Sequence, residues 1–141
     1  MPNAETERSP ITLVTYVMRI LIADDHQVVR KGISSILRSR EDFQVCGEAS
    51  CGKEAVAKAD LLKPDLVILD LSLPDLSGIE VATRIRKFLP HVSILLLSEN
   101  DEGPLEHLVR ETGLQGYVTK SKAGTTLLKA IDAILKSKQS T

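Results

Sequence analysis

From residue 19 onward, apolar positions along the chain alternate five times between two rhythms. Short apolar runs at 19–24, 43–49, 66–70, 93–97 and 116–119 predict strands. Leu66 to Leu69 is unbroken by any polar residue, the pattern of a strand covered on both faces. Between these runs the apolar positions space out to the helical period. The first helix carries Val28, Val29, Gly32, Ile33, Ile36 and Leu37, and the second Ala55, Val56, Ala59 and Leu62. The third starts near Ser77 or Gly78 and carries Ile79, Ala82, Ile85 and Leu89. The fourth covers about 104–112, and the fifth Leu127, Leu128, Ile131, Ile134 and Leu135. Pro64 and Pro90 stop the second and third helices, because proline lacks the N–H and the room to continue them. Strands and helices in strict alternation predict an α/β fold, a parallel sheet with helices on both faces. Five repeats are too few for an eight-stranded barrel, so the sheet is expected to be open and doubly wound.

Length and charge narrow this picture little. With 141 residues the chain is expected to form one domain, with residues 1–17 as an N-terminal extension and 18–136 as the compact unit. Residues 1–10 are polar, contain two prolines and read as disordered; residues 11–17 are more apolar. Residues 137–141 read as a C-terminal tail or the start of a linker. A net charge of −1 gives no electrostatic reason for the chain itself to bind nucleic acid or a membrane surface. No apolar run approaches the roughly 20 residues that span a bilayer, and the N-terminus does not read as a secretory signal. Cys46 is expected to be a buried thiol and Cys51 to open the second helix; free thiols would fit a reducing cytoplasm.

Candidate chemistry gathers where the predicted strands end. Ligands of open parallel sheets bind at the carboxyl ends of the strands. Those ends carry Asp24 and Asp25, Asp70, Ser98 and Lys120. Three carboxylates brought together repel one another and need compensation. Hard oxygen donors of this kind suit Mg²⁺, which takes one or two carboxylates plus phosphate oxygens, and a lysine adds a compact mobile charge. The set therefore reads as a phosphate-handling site. Asp70 is the best nucleophile, since a carboxylate can accept a phosphoryl group as an acyl phosphate. Asp24 and Asp25, the latter more directly, would hold Mg²⁺ together with Asp70 and the backbone carbonyl of Ser72. Lys120 would pair with a phosphoryl oxygen and otherwise with Asp70, and Ser98 would donate its hydroxyl to the phosphoryl group.

These segments resemble the receiver domain of two-component response regulators. The matching text is Ile20-Leu21-Ile22-Ala23-Asp24-Asp25-His26, Asp65 to Asp70 with Pro74 and Gly78, Leu95-Leu96-Leu97-Ser98, and Gly116-Tyr117-Val118-Thr119-Lys120. Ala-Asp-Asp-His followed by Val-Val-Arg-Lys-Gly is most similar to the NarL/FixJ group. The resemblance covers about 18–136. It implies a flavodoxin-like sheet of strand order 2-1-3-4-5 and phosphorylation of Asp70 by a sensor histidine kinase with Mg²⁺. It also implies a cytoplasmic signalling switch rather than an enzyme, in which Ser98 and Tyr117 relay the change. It leaves room for a homodimer on phosphorylation, and for DNA binding through a downstream domain of a transcriptional regulator. A stand-alone receiver and a scaffold that works without phosphorylation are the alternatives.

Several residues carry two readings. Glu99 stands where the family generally has a small residue; it either narrows access to Asp70 and repels small anionic phosphodonors, or points into solvent. Tyr117 is either the inward-turning relay or a tyrosine half-buried on a strand. His26 reads as the start of the first helix rather than a metal ligand, since Mg²⁺ prefers oxygen. His91 and His107 need no function. Asp75, Glu80, Arg84, Arg86 and Lys87 read as solvated surface charges. Ser121 replaces a proline common among receivers. A phosphatase of the haloacid-dehalogenase type would carry an acid two residues after the nucleophile, where this chain has Ser72. A flavin carrier would meet repulsion between its phosphate and the Asp24–Asp25 pair.

Overall fold

The computed structural model describes residues 16–100 and 103–139. Five strands, β1 (Met18–Ala23), β2 (Phe43–Ala49), β3 (Leu66–Asp70), β4 (Ser93–Ser98) and β5 (Gly116–Thr119), form one parallel sheet in the order β2-β1-β3-β4-β5. Five helices alternate with them: α1 (Gln27–Leu37), α2 (Gly52–Leu62), α3 (Gly78–Phe88), α4 (Gly103–Thr112) and α5 (Ala123–Gln139). A 3₁₀ turn, Lys120–Lys122, joins β5 to α5. This is the open, doubly wound sheet expected from the alternation, in the flavodoxin-like strand order that the resemblance implies.

Every residue of β3 and β4 is buried, because both strands lie inside the sheet with a helical layer on each side. The period-2 alternation of a strand splits their side chains between two cores. Ile20, Ile22, Leu66, Ile68, Leu95 and Leu97 pack with Ile33 and Leu37 of α1 and Leu127, Ile131 and Ile134 of α5. Leu21, Val67, Leu69, Ile94 and Leu96 pack on the other face with α2, α3 and α4. Parallel register aligns the strand ends: Ala23 pairs with Leu69, Asp70 with Leu97, and Ser98 with Thr119. The residues that follow β1 and β5 are thereby carried to the same edge as Asp70.

The structure corrects several details. Val28 and Gly32 lie outside the buried stripe of α1, which runs through Val29, Ile33, Ile36 and Leu37; Val28 is 81% exposed. The two rejected positions sit on the flank of the helix that turns away from the sheet. Cys46 is half-buried rather than buried, since β2 is an edge strand and its pairing with β1 slips between Val45 and Gly47. Helix α5 continues to Gln139, so residues 137–139 belong to it rather than to a tail. Of the expected extension, residues 1–15 lie outside the described residues; Tyr16 and Val17 are exposed. No helix among the described residues is long and apolar enough to cross a membrane.

Candidate functional site

The site begins with two strand ends that would repel each other without help. Asp24 follows β1 and is fully enclosed; its Oδ1 accepts the backbone N–H of His26 at 2.8 Å, which turns the chain into α1. Its Oδ2 finds no aligned hydrogen bond, and its compensation is ionic, from Lys120 Nζ at 2.8 Å. Asp70 closes β3, with Oδ2 3.2 Å from Lys120 Nζ and Oδ1 accepting the Ser72 backbone N–H at 3.2 Å. Lys120 stands at the start of the 3₁₀ turn, so the step from extended β5 into that turn aims its stem across the sheet edge. One ammonium thus serves two enclosed carboxylates.

The balance of burial and charge is visible in their ionisation. Burial raises the Asp70 pKa above the ordinary carboxylate range, and the Asp24 charge adds to the rise; the Ser72 N–H and Lys120 oppose it. For Lys120 burial acts the other way and would lower the pKa, but Asp24 and Asp70 outweigh it, and the net shift is upward. Oxygen atoms of Asp24, Asp25 and Asp70, with a ring nitrogen of His26, all lie within 4.8 Å of one another. Asp25 is partly exposed, which leaves this acidic pocket open to solvent. Three carboxylates whose oxygens converge this closely, one of them on a partly exposed residue, are a donor set that fits a small hard dication.

The loop from β3 to α3 is fixed by contacts that leave no slack. Gly78 N–H donates to the Leu71 carbonyl at 2.8 Å, and a Cβ on Gly78 would stand 2.6 Å from the Asp70 carbonyl oxygen. Glycine is needed here for close approach of two backbone segments. Ser77 caps α3, its hydroxyl accepting the Glu80 N–H at 3.1 Å. Asp75 is exposed, as expected of a surface charge, and also accepts the N–H groups of Gly52 at 2.6 Å and Lys53 at 2.9 Å. It therefore caps the first turn of α2 from the neighbouring loop, and those N–H bonds hold its carboxyl below the usual range.

Ser98 closes β4 at the same sheet edge, and its hydroxyl is engaged by its own loop. Its hydroxyl donates to the Asn100 carbonyl at 2.7 Å and accepts the Asn100 N–H at 3.2 Å. The Glu99 side chain is 67% exposed, and its Oε2 lies 3.5 Å from Lys120 Nζ. Tyr117 is half-buried on β5 and packs against the core under α4. His26 caps α1 by position, and its Nδ1 sits 3.1 Å from Asp24 Oδ1 and 3.2 Å from Asp25 Oδ1.

Two supporting arginines were not singled out as such by the sequence. Arg30, on α1, donates to the Asp24 carbonyl at 2.7 Å and to Glu48 Oε1 at 2.8 Å, tying the strand end to the edge strand. Arg86, expected on a solvated face, is half-buried and donates to the carbonyls of Thr112 and Gly113 and to Gln115 Oε1. Its guanidinium joins α3 to the turn that leads into β5, and burial lowers its pKa. A long side chain on an amphipathic helix gives no sign of which carbonyls it reaches, because its partners lie 26 to 29 residues away.

This arrangement has close counterparts. The profile of the response regulator receiver domain matches residues 20–132. The response regulator protein VraR of Staphylococcus aureus is 39% identical over 114 residues, covering 81% of this chain and 54% of that protein. The chain thus spans about half the length of the curated relatives it matches. A LuxR-family two-component response regulator from Aurantimonas superposes with a TM-score of 0.80 at 35% identity, covering 86% of both chains. The isolated receiver domain of RcsB from Salmonella enterica serovar Typhimurium, solved with the phosphomimetic BeF₃⁻, gives 0.78 at 32% identity, covering 85% of this chain and 89% of that one. The sheet order, the acidic pocket and these matches lead to one conclusion: the chain belongs to the response regulator receiver domains of two-component systems, with relatives in the LuxR/NarL family.

Proposed function

We propose that the protein is a phosphorylation-dependent switch in which Asp70 accepts a phosphoryl group from a sensor histidine kinase. The observation that carries this reading is the convergence of Asp24, Asp70 and Lys120: one enclosed ammonium held at 2.8 and 3.2 Å between two buried carboxylates. A carboxylate with a raised pKa beside a lysine is a poor surface feature and a good acceptor, since the lysine stabilises the charge that a phosphoryl group brings. Asp24, Asp25 and Asp70, with the Ser72 backbone carbonyl, would hold Mg²⁺, which supplies charge neutralisation to the phosphoryl oxygens when bound.

Phosphorylation adds about −1.5 to −2 charges and three strong acceptor oxygens. Ser98 then has a choice between Asn100, its present partner, and a phosphoryl oxygen. A charge-assisted hydrogen bond contributes about 1.5–3 kcal/mol. If it forms in one arrangement of the loop alone, it shifts the equilibrium about 10- to 100-fold toward that arrangement. Tyr117, half-buried on β5 beside Leu96 of β4, would relay the movement of Ser98. The Ser72 side chain supplies no acid for turnover of phosphoesters, which favours a switch over a phosphatase.

The compact unit runs from residue 18 to the end of α5 at Gln139 in this reading, within a cytoplasmic regulator whose DNA contacts come from a further domain and whose phosphorylated form can pair as a homodimer. The test is BeF₃⁻ with Mg²⁺, followed by thermal unfolding and by chemical shifts of Ser98 and Tyr117. Stabilisation and shifts that need both components, and are absent from Asp70→Asn, support the reading. An equal response from Asp70→Asn would contradict it.

A further inference from the structure

Lys120 has three N–H donors, and three carboxylates surround it: Asp24 at 2.8 Å, Asp70 at 3.2 Å and Glu99 at 3.5 Å. The first two are buried and anchored by backbone N–H bonds from His26 and Ser72. Glu99 is different. It lies on the loop that follows β4, its side chain is two-thirds exposed, and among the described residues Lys120 is its ion-pair partner. A phosphoryl group arriving at Asp70 needs a donor from Lys120, and Asp24 cannot yield one without leaving a buried charge unpaired. Glu99 can leave at small cost, because water solvates it once it swings out.

From this geometry we infer that Glu99 is a displaceable anionic gate on Lys120, which discriminates among phosphodonors by their charge. The inference rests on Asp70 being the phosphoacceptor. A small donor must bring its negative phosphoryl group past the Glu99 carboxylate and take over its place on the ammonium. With acetyl phosphate, a carboxylate oxygen of Asp70 bonds to phosphorus while the P–O bond to the acetyl group breaks, and its electron pair departs with acetate. Acetyl phosphate approaches as a dianion and phosphoramidate with about one negative charge, so Glu99 penalises the first more. The gate also joins the site to the Ser98–Asn100 turn, since residues 98, 99 and 100 are consecutive.

The experiment compares initial rates of Mg²⁺-dependent labelling by the two donors in wild type and Glu99→Gln, read as phosphorylated Asp70 peptide by mass spectrometry. Gln keeps the size and reach of Glu and removes its charge. Glu99→Gln should accelerate labelling by acetyl phosphate about three- to tenfold and by phosphoramidate distinctly less. Added salt at about 0.5 M should shrink the difference between the proteins, since an exposed charge is screened. Unchanged rates with both donors would overturn the inference, as would equal acceleration with both, which marks loop disruption rather than charge. Absence of Asp70 labelling from both proteins would overturn the phosphoacceptor reading itself, and this inference with it.

Discussion

Replacing Asp70 with Asn should make the protein more stable, although it removes an ion pair. Lys120 Nζ at 3.2 Å attracts the Asp70 charge by about 5 kcal/mol at an effective dielectric constant of about 20. Asp24, with an oxygen within 4.8 Å, repels it by about 3.5 kcal/mol on the same scale. Asp25 is partly exposed and screened, and adds about 1 kcal/mol of repulsion. The pairwise sum nearly cancels, so the cost of enclosing the charge, several kcal/mol per ion, decides the sign. Asparagine keeps the shape, carries no charge and leaves Lys120 to Asp24. Allowing for weaker hydrogen bonds, the gain is about 1–3 kcal/mol, or about 3–5 °C in Tm per kcal/mol for a chain of this size. The assay is urea unfolding without divalent cations between pH 5 and 8. Native Asp70 holds its proton more tightly than the unfolded carboxylate, so wild-type stability rises as pH falls through that raised pKa. The advantage of Asp70→Asn should therefore be full above that pKa and shrink below it. A variant less stable than wild type at pH 7 would refute this balance of terms.

Magnesium should stabilise wild type by about 2.7 kcal/mol at a hundred times its dissociation constant, and Asp70→Asn by much less; chelation in a thermal scan measures both. Gly78→Ala should lose about 1–3 kcal/mol, because its Cβ would meet the Asp70 carbonyl at 2.6 Å, and denaturant unfolding reads the loss. Arg86→Ala should lose about 1–3 kcal/mol and speed amide exchange at the turn between α4 and β5, where its acceptors at Thr112 and Gly113 would be left unpaired. Arg40 pairs with Asp42 at 2.9 Å and Asp132 at 3.0 Å, and its hydrogen bonds lower the Asp42 pKa. Arg40→Met should cost about 0.5 kcal/mol after screening, a loss present above the unfolded carboxylate pKa and vanishing as pH falls through the folded one, measured by parallel urea titrations of the two proteins.

The parts that were legible in the sequence are those dictated by local pattern. Unbroken apolar runs marked β3 and β4 because both faces of those strands are buried, and Pro64 and Pro90 marked helix ends through their missing N–H. Asp24, Asp70 and Lys120 were legible because parallel register brings strand ends to one edge regardless of what lies between. What stayed hidden depends on side chains that reach across the chain. Asp75 looks like any loop carboxylate until the β3–α3 loop is laid against the first turn of α2. Ser98 could be placed at the edge, but its bond to Asn100 is a property of the loop conformation. Glu99 could be placed next to Ser98, but its approach to Lys120, 21 residues away along the chain, follows from the fold.

The central claim is that Asp70 is the residue that takes the phosphoryl group, and peptide mapping tests it most directly. Wild type and Asp70→Asn are incubated with acetyl phosphate, with and without Mg²⁺, and digested for mass spectrometry. The account predicts one added phosphoryl group on the peptide containing Asp70 in wild type, dependent on Mg²⁺ and absent from the variant. A phosphoryl group on another residue, or labelling that persists in Asp70→Asn, would contradict it.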